Sequence, residues 1–346
     1  MRSGVNPVKG GKPVIKAPCD HRVVIPLFIP HENDYFKDAY KIFELCLGSL
    51  LKTSTSALKI SIISNNCSPV INERLIKLYE QKEIDELIIE REGIGKINSV
   101  LKAIRTAEER LITITDADVL FLNNWEQEVV RVFKAFPRAG AVCPVPVYRK
   151  QFDLTHNIWK DYLFSNKLKF SEVKDKDALE NFAKSIGWKY LPEEFGDSIA
   201  TLESKNGLKA VVGCSHFVAT YKREVFEALP ERNSPYLIDG DSEYLYLDKP
   251  VILSNGYRLS TYSNNAYHLG NVHEEWMSDA FEQLDAVSSQ FNDYSSLDRL
   301  EKNAFKYWLD FTLFKKLFKT KKFLRWVLKK KGLNDQQIYN YLDRVY

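Results

Sequence analysis

Leu111-Ile112-Thr113-Ile114-Thr115-Asp116-Ala117-Asp118 runs five β-prone residues straight into two carboxylates separated by one methyl side chain. The same pattern of a short apolar run followed by polar residues occurs three times upstream. Arg22 to Ile29 (RVVIPLFI), Lys59 to Ile63 (KISII) and Leu87 to Ile89 are runs of the kind that form buried strands. Helix-period segments are expected between them over about 35–51, 71–79 and 97–107, then over 125–136, with a further strand at 141–145. Strand and helix alternate in this way for about 125 residues. That spacing predicts an α/β fold, a mainly parallel sheet flanked by helices on both faces. In such sheets ligands bind beyond the carboxyl ends of the strands, so the polar residues that follow each strand are the place to look for function.

Beyond Tyr148 the pattern changes. Charged and aromatic residues mix without strand periodicity to about Lys209, and a largely helical insertion is expected there. Apolar order returns at Ala210–Gly213 and over Arg258–Leu269, and the tail from about Glu274 reads as helices. The expected organisation is a loose Gly/Pro/Lys-rich arm over 1–21, a main domain over 22–272 with its insert at about 148–209, and a helical extension over 273–346. The 346 residues are 45% hydrophobic and 27% charged, which excludes disordered and collagen-like chains and disulfide scaffolds. A net charge of +3, from 49 basic and 46 acidic residues, gives no sign of a nucleic-acid partner. The five cysteines are scattered, odd in number and without a CxxC, a pattern of free thiols in a reducing compartment. With no signal-peptide core and no membrane-length apolar run, a cytoplasmic protein is expected.

Asp116 and Asp118 sit two apart, so on extended chain they face the same side. Carboxylates held that close repel unless compensated, and a hard divalent cation such as Mg²⁺ or Mn²⁺, itself holding a diphosphate, is the usual compensation. The plainer alternative makes Asp116 a helix cap and Asp118 a solvated acid. Ser64-Asn65-Asn66-Cys67-Ser68 follows the second strand, either as ordinary turn formers or as amides that hydrogen-bond a base or ribose. Gly93-Ile94-Gly95-Lys96-Ile97-Asn98 places two glycines and a lysine before a helix, which suits close backbone approach and phosphate. Asp239-Gly240-Asp241-Ser242-Glu243 offers three carboxylates in five residues, enough for a general base or for a charged turn. His268 closes an apolar run, as a structural histidine or as a third protein position on the metal.

In this order the pieces resemble the GT-A glycosyltransferases, most closely the family-2 type that uses nucleotide sugars, over roughly Arg22 to Asn271. Ile25-Pro26-Leu27-Phe28 is similar to the first strand that opens the family's nucleotide pocket, which implies contacts from Pro26 and Phe28. The family's Asp-Asp-Gly-Ser stands here as Asn65-Asn66-Cys67-Ser68, without either negative charge. Its Gly-x-x-x-Ala-Arg-Asn is echoed over Gly93 to Asn98, with Lys96 and Asn98 as binding residues and Ile97 where the Arg would be. The resemblance implies that Asp118 contacts the metal, that Asp116 contacts ribose or metal, and that His268 is a metal ligand. The family's catalytic Asp falls on Asp241, with Asp239 as its substitute and the preceding Glu replaced by Gly240.

The implied activity is metal-dependent transfer of a sugar, with inversion, from a nucleoside-diphosphate sugar to an acceptor hydroxyl. UDP is the expected nucleotide, and the acceptor is a saccharide or a lipid-linked one in envelope polysaccharide or glycolipid synthesis. The segment 315–331 carries nine Lys or Arg and no acid, interleaved with apolar residues such as Leu317, Phe318, Leu324 and Trp326. It is either a peripheral contact for an anionic membrane or a packed helix with a solvated basic face. The alternative functions are a non-catalytic nucleotide-sugar-binding relative and a DxD phosphotransferase.

Overall fold

The computed structural model describes residues 4–11, 19–147, 150–187, 197–238 and 240–345. The first apolar run forms β1 (His21–Leu27), buried on both faces as a central parallel strand must be. β2 (Leu58–Asn65) and β4 (Leu111–Thr115) pair in parallel on either side of it, and β3 (Glu86–Glu90) pairs outside β2. The crossovers carry α1 (Ala39–Thr53), α2 (Pro69–Glu80) and α3 (Lys96–Ile104). Ser68 caps α2 by accepting from the Ile71 N–H at 3.4 Å, and Pro69 stands in its first turn, where a missing N–H costs nothing.

After β4 the chain makes a three-residue strand, β5 (Val119–Phe121), then α4 (Trp125–Ala135) and β6 (Ala139–Cys143). β10 (Val218–Lys222) inserts antiparallel between β4 and β6, and β11 (Tyr257–Thr261) runs parallel to β6. Beyond β11 lie β9 (Lys209–Val212), β8 (Ser198–Glu203) and β7 (Leu168–Glu172), each antiparallel to its neighbour. The sheet therefore has ten strands in the order β3-β2-β1-β4-β10-β6-β11-β9-β8-β7. Seven of the ten point the same way as β1, the mixed, mainly same-direction α/β sheet expected.

One expectation needs correction, and one pair of alternatives is narrowed. The insertion does contain α5 (His156–Asp161) and α6 (Lys176–Ser185), but it also supplies β7 and β8, which widen the sheet. The apolar residues of 315–331 are largely not available to a membrane. Phe318, Leu324, Val327 and Leu328 are buried in the same core as β1, so the segment packs inward and turns a basic face outward. The C-terminal extension is tied to the sheet as well. Gln290 bridges Ser56, and the buried Tyr294 hydroxyl bonds Ser56 Oγ at 2.6 Å. No helix among the described residues is long and apolar enough to cross a membrane.

Buried charge fixes the register of the central strands. Arg22 at the start of β1 forks onto Glu109 at 2.9 and 3.0 Å and reaches Ser61 and Glu86 with its third nitrogen. Next to it His21 bonds Glu126 at 2.7 Å and Thr113 at 2.7 Å, joining β1, β4 and α4.

Candidate active site

The carboxyl ends of β1, β2 and β4 open into one cleft. Pro26 is the next-to-last residue of β1 and Phe28 follows it, Asn65 ends β2, Lys96 begins α3, and Asp116 and Asp118 follow β4. Together with the loop at Leu237 and Ile238 they line a cavity of about 540 Å³. The exposed rings of Phe28 and Tyr35 belong to the same lining. Tyr35 and Leu237 were not singled out by the sequence.

Asp116 caps no helix, because the chain goes on into β5. Its backbone N–H donates to the Phe217 carbonyl at 2.7 Å, and its carboxylate accepts from Lys96 Nζ at 2.5 Å. Lys96 also lies 3.8 Å from Glu243. Burial alone would lower the pKa of Lys96, but the carboxylates of Asp116 and Glu243 outweigh it and hold the ammonium above its ordinary value.

Asp118 is held differently. The short β5 pairs antiparallel with β12 (Ala266–His268), placing His268 opposite Val119, and the Leu269 N–H donates to the Asp118 carbonyl at 2.7 Å. His268 Nε2 then stands 3.5 Å from Asp118 Oδ2. The other ring nitrogen is 3.1 Å from Ser185 Oγ, and the Phe217 ring packs edge-on at 5.3 Å, so the imidazole is oriented from behind. Asp118 Oδ1 is buried with no hydrogen-bond partner. Burial pushes the Asp118 carboxyl up, against the pull of His268 and with the repulsion of Asp116. An orphaned carboxylate oxygen beside an imidazole nitrogen fixed by its far side is a donor set that suits a divalent cation. Among the described residues no three acidic, histidine or cysteine side chains converge on one point, so a cation here would draw its remaining ligands from a diphosphate or water.

Other expected site residues are placed less simply. Asn65 lines the cavity, but its Oδ1 already accepts from the Ile94 N–H at 2.8 Å. Its NH₂ makes no hydrogen bond among the described residues and can meet a ligand. Asn66 turns the chain at φ +63°, donates its N–H to the Glu90 carbonyl at 3.1 Å, and does not line the cavity. Asn98 lies outside it too. Its amide donates to the Ile94 and Ser234 carbonyls at 2.8 and 2.9 Å and accepts from the Ser234 N–H at 2.9 Å. Asn98 therefore pins the 234–238 loop over α3 rather than facing a nucleotide. Gly95 is a glycine for the same loop: at φ +89° its Cβ would lie 2.7 Å from the Leu237 backbone. The close approach allowed there is to the chain itself.

The acidic run is placed differently from the expectation. Asp241 is exposed at φ +63° and lines no part of the cleft, and Asp239 lies outside the described residues. Glu243, two residues on, turns inward. It lines a second cavity of about 730 Å³ with His216, His268 and the rings of Phe182 and Phe217. Lys96 and Asp116 line both cavities, so the two are halves of one cleft, with the Asp118–His268 pair across their junction.

The family model described as glycosyl transferase family 2 matches residues 35–229, more than half of the chain. No curated protein matches it. Among solved structures it is similar to the mannosyltransferase PcManGT from Pyrobaculum calidifontis in complex with GDP-Man and Mn²⁺, at 15% identity and TM-score 0.43 over 93% of this chain and 77% of that one. It is also similar to S. aureus TarS, at 10% identity and TM-score 0.42 over 75% of this chain and 38% of that one. For S. aureus TarS 1-349 in complex with UDP the identity is 14% and the TM-score 0.30, over 39% of each chain. This chain thus spans well under half the length of the TarS chains.

Proposed function

The chain belongs to glycosyl transferase family 2, and we propose that it moves a sugar from a nucleoside-diphosphate donor to an acceptor hydroxyl, with a divalent cation at Asp118 and His268 and Glu243 as the general base. The observation that carries this reading is the junction of the two cavities, where Lys96, Asp116, Asp118, His268 and Glu243 meet. The first cavity suits the donor. Phe28 and Tyr35 offer ring faces to a base, and the NH₂ of Asn65 is the group left to donate to a base carbonyl. That suits a base with a carbonyl acceptor, as uracil, thymine and guanine all have, and uracil is the first of these to test. Lys96 supplies a positive charge for the diphosphate.

The bound cation, Mn²⁺ or Mg²⁺, would neutralise the diphosphate as it leaves. Asp118 and His268 would hold it, which accounts for the orphaned oxygen of Asp118. The second cavity suits a saccharide acceptor, with the tilted Phe182–Phe217 pair as an apolar wall. Glu243 takes the proton from the attacking hydroxyl, and direct displacement at the anomeric carbon inverts it. The base is Glu243 in place of Asp241, because of these two Glu243 lines the cleft and Asp241 does not. A carboxylate in the acceptor half also speaks against a binding-only relative.

The test is nucleotide release from UDP-, GDP- and dTDP-sugars with Mn²⁺, with and without simple saccharide acceptors. One donor is expected to turn over, and Glu243→Gln to abolish turnover while leaving donor binding intact. Donor binding with no release, and no difference between wild type and Glu243→Gln, would overturn the catalytic reading.

A further inference from the structure

The helix that leads into the basic segment carries an apolar face left exposed among the described residues. Ala304–Trp308, a π-helical turn at Leu309–Phe314 and Lys315–Phe318 form one continuous helix. Asp310, Phe314 and Phe318 point inward and are buried, with Asp310 paired to Lys160 at 2.6 Å. The opposite face shows Phe305, Trp308, Leu313 and Leu317, which are 70%, 48%, 51% and 47% exposed. A π-helical turn fits one extra residue into the helix, and this brings positions 313 and 317 into line with 305 and 308. Phe305 and Trp308 stack on each other, ring centres 6.2 Å apart.

Along this stretch the charge is almost all basic. Between Glu301 and Asp335 the chain has eleven Lys or Arg and a single acid, the buried Asp310. Lys302 and Lys306 flank the start of the stripe, and Lys315, Lys316 and Lys319 its end. Two copies of such a face would repel. A soluble polyanion would answer the lysines and leave the aromatic rings in water. An anionic bilayer answers both, taking Trp, Phe and Leu at the headgroup boundary and the lysines at its charged surface.

We propose that the Phe305–Trp308–Leu313–Leu317 face lies on an anionic lipid leaflet as a peripheral membrane contact. This surface stands on its own observations and does not depend on the transferase reading. It overlaps the 315–331 segment only at its start, where Leu317 is exposed; Phe318, Leu324, Val327 and Leu328 of that segment are buried.

The test is flotation of the full chain with phosphatidylcholine vesicles, with and without phosphatidylglycerol, at low and high salt. Wild type is expected to float with the anionic vesicles only, and at least tenfold less in high salt. The double variant F305E/W308E is expected to bind at least tenfold more weakly, with unchanged melting temperature and donor binding. F305A/W308A serves the same purpose if the charged variant fails to fold. The proposal is overturned if wild type does not float, if it floats equally with neutral vesicles, or if the folded variants bind as wild type does. It is also overturned if the variants only abolish self-association on gel filtration, or if wild type and variants bind a soluble polyanion equally and no vesicle.

Discussion

Replacing Asp118 with Asn is expected to make the free protein more stable and its site unfit for a metal-bound diphosphate. In the free protein Asp118 Oδ1 is buried without a partner, and burial raises the carboxyl pKa because the charged form is poorly solvated. An unsatisfied buried polar group costs about 1–3 kcal/mol, more when charged. His268, 3.5 Å from the other oxygen, offsets part of that cost, so removing the charge should gain on the order of 1 kcal/mol. At about 2.1 cal/mol/K of unfolding entropy per residue, 346 residues give roughly 0.7 kcal/mol/K. The melting temperature in EDTA should therefore rise by about 1–2 °C. With Mn²⁺ and a nucleoside diphosphate the same variant should bind at least about a hundredfold more weakly, roughly 2.7 kcal/mol. Calorimetry in EDTA and a binding titration in Mn²⁺ read the two effects separately. A variant that melts several degrees lower and still binds would show Asp118 to be a structural residue, and the argument from its orphaned oxygen would fail.

Further predictions come from other parts of the molecule. Glu243→Gln should lower kcat by about 10²–10⁴ while Asp241→Asn leaves it within a few-fold, read in one steady-state assay of both variants. Gly95→Ala places a Cβ 2.7 Å from the Leu237 backbone at φ +89°, so it should destabilise by about 1–3 kcal/mol in urea titrations and loosen the loop over the donor cavity. Acid should destabilise the fold in two windows. Burial, aided by Lys315, pushes His156 down to about 4 from 6.5, so the unfolded chain binds the extra proton and stability falls as pH drops from 6.5 to 4, by about 3 kcal/mol. Burial raises Glu126, but the hydrogen bond from His21 outweighs it and holds the carboxyl at about 2, down from 4.5, so stability falls again from pH 4.5 to 2, by about 3 kcal/mol. Urea midpoints across pH 7 to 2 check both windows, and His156→Leu should flatten only the upper one.

The legible parts of the fold were those whose hydrophobic pattern is a plain consequence of burial. β1, β2 and β4 are covered on both faces, so their β-branched runs announce them. β7 and β8 do not, because LKFSE and SIATLE are short, half polar, set inside a charged stretch and placed at one end of the sheet. β5 is only three residues long and hides behind the carboxylates, yet its pairing with β12 is what brings His268 to Asp118. That pairing joins residues about 150 positions apart, and no local pattern encodes it.

The candidate site was legible by residue type and less so by direction. Pro26, Phe28, Asn65, Lys96, Asp116 and Asp118 line the first cavity. Asn98 has the right chemistry, but the Ser234 backbone takes it, a contact 136 residues away. Choosing between Asp241 and Glu243 depended on a positive φ at Asp241 and a π-helical turn from Tyr244, neither of which a spacing argument contains. Gly95 looked like an opening for phosphate, and what it admits is the Leu237 backbone.

The most direct test of the account is calorimetric titration of UDP, GDP and dTDP into the full chain, in Mn²⁺ and again in EDTA. The account predicts that one nucleotide binds in Mn²⁺, at least a hundredfold more weakly in EDTA, and that His268→Ala loses the difference. Equal affinity with and without metal, or no binding of any diphosphate, would contradict it.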